Sequence, residues 1–108
     1  EKPVLFTRLP GATYYWQDIG FRGLTGSVIK NCVFEYGGKS NNSGILKITT
    51  EADLTLENVI IRNSYNYGVT IDELGNTYRL THSNVTFDNN YKGNVLMYRS
   101  GQVLTQLP

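Results

Sequence analysis

The chain has one cysteine, Cys32, and one histidine, His82, in 108 residues. A lone thiol makes no internal disulfide, and a zinc site built on cysteines is excluded; a single imidazole excludes a histidine-rich metal site as well. An excess of one charge is also missing: ten Lys and Arg stand against nine Asp and Glu, a net charge of +1. That balance argues against a dedicated nucleic-acid binder, whose basic footprint shows as surplus Lys and Arg. No apolar run approaches the about 18 residues of a membrane-spanning helix. No stretch has the charged start, apolar core and small-residue cleavage site of a signal peptide. Alanine, the best helix former, occurs only at Ala12 and Ala52. What is abundant is eleven Gly, eleven Asn, eleven Thr and eight Tyr. These are strand and turn formers, so a mostly β chain of the size of one ordinary domain is expected.

The abundant residues recur in phase. Three segments align on an asparagine: Ile29 to Phe34 around Asn31, Leu56 to Ile61 around Asn58, and His82 to Phe87 around Asn84. The asparagines are 27 and 26 residues apart. Apolar side chains follow one and three places later: Cys32 and Phe34, Val59 and Ile61, Val85 and Phe87. Period-2 alternation of this kind marks a strand with one buried face. A second set alternates likewise at Ile19/Phe21, Leu46/Ile48, Val69/Ile71 and Val95/Met97. A shorter third set precedes each asparagine, at Ser27/Ile29, Leu54/Leu56 and Leu80/His82. Turn-forming clusters separate the sets, among them residues 37–44 and 63–68.

An antiparallel sandwich also has short strands and frequent turns, but it does not need one residue type at one phase of every repeat. A parallel solenoid does, because equivalent positions in successive coils stack about 4.8 Å apart. The spacing therefore predicts an all-β parallel solenoid of about three coils, three strands to a coil. Asn31, Asn58 and Asn84 are expected to form an internal amide ladder at a bend, with apolar columns beside it.

Asn31-x-x-Phe34 followed by Tyr36-Gly37-Gly38, its counterparts followed by Asn63-Ser64 and Asn89-Asn90, and Gly68-Val69-Thr70-Ile71 resemble repeats of the right-handed parallel β-helix proteins of the pectate-lyase-like superfamily. Residues 16–21 and 34–38 are similar to stretches common in bacterial secreted or surface β-helix proteins. The resemblance covers nearly the whole chain. It implies a right-handed solenoid and an extracellular or cell-surface location, but little about activity, since the superfamily mixes lyases, hydrolases and adhesins.

The phase also bears on the ends. Val4 and Phe6 fall where Cys32 and Phe34 do, so the chain is expected to begin inside a coil. Val103 and Thr105 fall where Leu54 and Leu56 do, and a further strand is expected there. Neither end shows a capping helix or a polar terminal repeat. A segment of a longer solenoid is the expectation, or end-to-end stacking on neighbouring coils or a second copy.

Candidate site residues follow from the same columns. Glu35, Arg62 and Asp88 each stand four places after a ladder asparagine and point outward, a cation between two carboxylates. The column reads as a surface ion-pair ladder, with Glu35, Arg62 and Asp88 as weak catalytic candidates because polysaccharide lyases of the resembling family use carboxylates and a basic group. The four-carboxylate calcium cluster of a pectate lyase and the motifs of polygalacturonase-like hydrolases are missing. No metal or other cofactor is implied. His82 is expected to be an inward histidine hydrogen-bonded to a neighbouring turn rather than a general base, and Cys32 a small buried hydrophobe. Ligand-binding candidates are Trp16, Tyr36, Tyr65, Tyr67 and Tyr91, since exposed rings beside amides suit the apolar faces and polar rims of sugars and also protein interfaces. Asn41 and Asn84 match the N-glycosylation pattern, Asn84 as a ladder residue expected to be buried. The expected function is non-catalytic: an extracellular or cell-surface segment contacting polysaccharide or another protein. The alternatives are a piece of a polysaccharide lyase or glycoside hydrolase whose groove lies outside this chain, and a structural spacer or adhesin stalk.

Overall fold

The structure is a computed structural model describing residues 2–23 and 26–108. Among the described residues nine strands follow one another: β1 (Val4–Phe6), β2 (Ile19–Phe21), β3 (Ser27–Glu35), β4 (Gly44–Ile48), β5 (Asp53–Arg62), β6 (Tyr67–Ile71), β7 (Arg79–Asp88), β8 (Gly93–Met97) and β9 (Gln102–Leu104). They alternate between two sheets. Sheet A has the order β1-β3-β5-β7 and sheet B the order β2-β4-β6-β8-β9. All pairings are parallel except the last, β8 with β9. Successive passes of the chain therefore stack as a β-solenoid of about four levels, one more than the full repeats in the sequence because short β1 and β2 make a level of their own.

The predicted columns are register columns. Val4 pairs with Cys32, Cys32 with Val59 and Val59 with Val85. Phe6, Phe34, Ile61 and Phe87 form the next column, and the first two rings stack at 4.8 Å with 10° between planes. In sheet B, Leu46, Val69 and Val95 align, as do Ile48, Ile71 and Met97. Inward side chains of the two sheets meet in one core, where Leu46, Ile48, Leu54, Leu56, Val59, Ile61, Val69, Ile71 and Val95 have no exposed surface. Removing this apolar surface from water is the main drive for a chain with so little helix potential.

The third strand set is not separate. Ser27–Lys30 and Cys32–Glu35 are the two arms of β3, joined at Asn31, and β5 and β7 are built alike around Asn58 and Asn84. Asn31, Asn58 and Asn84 have φ of 55°, 53° and 52°. A left-handed residue breaks the pleat and turns the strand, and asparagine tolerates that conformation better than any other residue except glycine. A second left-handed column closes each second arm: Tyr36, Asn63 and Asn89, with φ of 60°, 55° and 52°.

Two further expectations need correction. Asn58 and Asn84 are exposed rather than buried. The amide ladder runs along the solvent side of the bend, since the core behind it is filled by the apolar arms. Nor does the stretch around Val103 and Thr105 continue the parallel rise. β9 folds back antiparallel on β8, with Val95 opposite Leu104 and Met97 opposite Gln102. Leu104 and Leu107 then pack on the core, so apolar burial decides the turn-back that phase alone misses. Pro108 O lies 3.0 Å from His82 Nε2, which gives the inward histidine its partner.

Candidate functional site

The ladder amides bond as their register demands. Asn58 Nδ2 donates to Asn31 Oδ1 at 3.1 Å and Asn84 Nδ2 to Asn58 Oδ1 at 2.5 Å, and Asn89 Nδ2 donates to Asn63 Oδ1 at 2.9 Å in the second column. The buried amides are elsewhere, in the turns that lead to sheet B. Asn66, 3% exposed, donates to Gly38 O and Ser40 O at 2.7 Å each. Ser64 donates to Gly37 O, and Asn90 bonds Ile61 O and the Ser64 N–H. These bonds tie each turn to the one before it and satisfy polar groups that water does not reach.

The outward charge column is less than a ladder. Arg62 Nε meets Glu35 Oε1 at 2.8 Å, and Thr7 Oγ1 donates to the other Glu35 oxygen at 2.8 Å. Asp88, although the register partner of Arg62, makes no ion pair with it. Glu35 is thus engaged by two partners, and among the described residues no second carboxylate lines the hollow beside it. Among the described residues no group of three or more His, Cys, Asp or Glu is gathered as a metal site needs, and no helix is long and apolar enough to cross a membrane. Cys32 is buried, its thiol pushed above the usual value by desolvation, with Sγ 3.2 Å from Lys30 O.

The aromatic candidates separate into two groups. Trp16 is a wedge: its Nε1 donates to Glu35 O at 2.8 Å, and a Cβ on Gly37 would stand 2.8 Å from its ring. Tyr67 begins β6 between Gly44 and Gly93 and is half-buried. Both rings are partly buried. Tyr36, Tyr65 and Tyr91 instead cluster on the turn side with Tyr15, which sequence reasoning missed. Tyr15 meets Tyr65 edge-on at 5.2 Å and Tyr36 at 6.0 Å. Cations sit on two of the faces: Arg8 lies 3.8 Å from the Tyr36 centroid and Lys39 Nζ 3.9 Å from that of Tyr65. Tyr91 is 82% exposed.

Tyr15, Tyr65 and Tyr91 line a trough of about 470 Å³ together with Asn41, Asn66 and Lys92. A smaller hollow of about 280 Å³ adjoins it between Tyr15 and Tyr91, where Tyr36, Asn63 and Asn89 contribute. Rings, amides and an ammonium along an open trough suit a ligand with apolar faces and hydroxyl edges. Of the residues missed, Arg8 was within reach of phase, because it stands two places after Phe6 as Tyr36 stands two after Phe34. Tyr15 was not, because the stretch between β1 and β2 has no counterpart in the later coils.

A second depression lies on the outward face of sheet B, about 430 Å³, with Thr70 on its floor and Asp18, Lys47, Asp72 and Arg99 on its sides. Arg99 holds Asp72 through two bonds, of 2.9 and 3.2 Å, and this pairing keeps the Asp72 carboxyl below its ordinary value. Ser43 Oγ donates to Asp18 at 2.9 Å. Thr70 is 3% exposed, and its Oγ1 has no hydrogen-bond partner. An unpaired buried hydroxyl costs about 1–3 kcal/mol.

Comparison with family models, with curated proteins and with solved structures gives no match to this chain. The solenoid assignment therefore rests on strand order and register alone.

Proposed function

We propose that this chain is a glycan-contacting segment of a right-handed, pectate-lyase-like β-solenoid that works outside the cell or on its surface, binding without turnover. The observation that carries the reading is the trough of Tyr15, Tyr65 and Tyr91 edged by Asn41, Asn66 and Lys92. A pyranose ring has an apolar C–H face and a rim of hydroxyls. Aromatic side chains cover the first at low entropic cost, and the exposed Asn41 amide, which donates and accepts, bonds the second, while buried Asn66 shapes the wall. The solenoid supports such contact because Tyr65 and Tyr91 rise from successive coils on turns tied by Asn66 and Asn90. Binding rather than catalysis is favoured because Glu35 is taken up by Arg62 and Thr7, with no second acid lining the hollow beside it among the described residues.

The test is an array of plant and bacterial polysaccharides followed by titration of the positives. Tyr91→Ala and Tyr65→Ala are each expected to weaken binding by roughly three- to ten-fold, the worth of one aromatic contact. No binding across the array, or binding that both variants leave untouched, rejects the trough as the contact surface.

A further inference from the structure

The groove over Thr70 has a chemistry of its own. Thr70 lies on β6 between the inward Val69 and Ile71, so alternation sends its side chain to the outward face, where its register partner on β4 is Lys47. Its Oγ1 is, among the described residues, the one buried side-chain oxygen or nitrogen without a partner. Valine has the same shape and lacks the unpaired group, so packing does not account for threonine here. Rotation about χ1 exchanges the hydroxyl and methyl of a threonine without moving the backbone, so the oxygen can turn towards an occupant.

The walls indicate what kind of occupant. Two carboxylates, Asp18 and Asp72, are balanced by two cations, Lys47 and Arg99. The four charges sum to zero, so the groove has no net pull on an ion of either sign. Each charge is nonetheless a directional partner: carboxylates accept hydrogen bonds from hydroxyls, Lys47 donates to oxygen, and Thr70 does both. A neutral ligand dense in hydroxyl groups meets all of them at once. The volume, about 430 Å³, lies inside the range of about 300–1,000 Å³ usual for small-molecule sites.

We propose that this groove is a second saccharide subsite, filled by the same neutral oligosaccharide that occupies the tyrosine trough. The inference rests on the glycan-binding reading. The two depressions share Asn41 as a lining residue, and Lys92 of the trough reaches Asn42 of the groove at 3.4 Å. A sugar chain lying across residues 41 and 42 enters both, and linked contacts bind more tightly than either alone.

The experiment compares Thr70→Val with the unaltered protein in two measurements: thermal unfolding, and calorimetric titration with cellohexaose, mannohexaose and chitohexaose and with the matching disaccharides. Thr70→Val is expected to raise the unfolding midpoint and to weaken hexasaccharide binding about five-fold, one lost hydrogen bond, while the disaccharide at the trough binds as before. Asp18→Asn, which preserves shape, is expected to weaken the hexasaccharide in the same way. Tyr91→Ala weakens both lengths. If Thr70→Val and Asp18→Asn leave hexasaccharide affinity within about two-fold while Tyr91→Ala still reduces it, the groove is not a subsite and the trough stands. If instead Thr70→Val and Asp18→Asn weaken binding and Tyr91→Ala does not, the groove stands and the trough fails. A lowered unfolding midpoint in Thr70→Val shows the hydroxyl to be paired in the free protein and overturns the proposal, as does the lack of binding of all these sugars to the unaltered protein.

Discussion

Asn58 carries two loads at once. Its backbone holds φ at 53°, and its side-chain amide accepts from Asn84 while donating to Asn31. The two are separable by substitution. Asn58→Ala loses both ladder bonds and places a Cβ without local hydrogen bonding in the left-handed region, so a loss of about 2–4 kcal/mol is expected. Asn58→Gly loses the bonds and relieves the backbone, so the loss should be smaller by about 1 kcal/mol. Urea denaturation of the three proteins measures the difference, and equal midpoints for the two variants would show that the backbone carries no strain. At this scale the sequence was informative where one residue type repeats, which is why the asparagine column was legible. Its exposure was not, because the inside and the outside of a bend have the same spacing along the chain. Thr70 went unnoticed for a related reason: a hydroxyl on the outward face of a strand reads as solvated until the groove around it is known to cover it.

At the scale of the element, close approach between coils sets what each strand accepts. A Cβ on Gly44 would lie 2.5 Å from Thr70 N and 2.6 Å from Val69 C, atoms of the neighbouring β6 backbone that cannot swing aside. Gly44→Ala is therefore expected to cost about 3 kcal/mol by forcing β4 and β6 apart. Gly20→Ala, on β2 where nothing lies within 4 Å, should be close to neutral. Thermal denaturation of the pair checks the contrast, and similar midpoints would contradict the register. Alternation placed the inward residues of β3 to β8 correctly because two residues per pleat is a property of the strand itself. It missed the continuity of β3 through Asn31, since only hydrogen bonds to β5 show the two arms to be one element. It also missed β9, whose three residues pair with β8 through a tertiary contact and have no repeat to announce them.

For the whole molecule, a solenoid is held by neighbour contacts, so its stability varies along the stack. β5 has β3 on one side and β7 on the other, whereas β1 has β3 alone and exposes Val4, Leu5 and Phe6 to 56%, 52% and 40%. Hydrogen exchange is expected to be slowest in β5 and β6, faster in β7 and β8, and fastest in β1 and β2. Exchange at one rate throughout would mean that the stack opens as a single unit. The same one-dimensional order places the trough and the groove. Each is lined by residues from different passes of the chain, Tyr65 with Tyr91 and Lys47 with Thr70 and Arg99.

The amino-acid order by itself determined the β class, the parallel stacking and the members of each column, because all three follow from periodicity along one chain. Only the tertiary structure decided which asparagines are wet, that Asp88 makes no ion pair with its register partner Arg62, that the chain turns back at β9, and that Tyr15 joins Tyr36, Tyr65 and Tyr91. Each of these depends on distances between residues of different coils or of loops without a repeat. A register column says which residues are neighbours along the stack, but the depth of a groove and the partner of a side chain are set by how the layers pack.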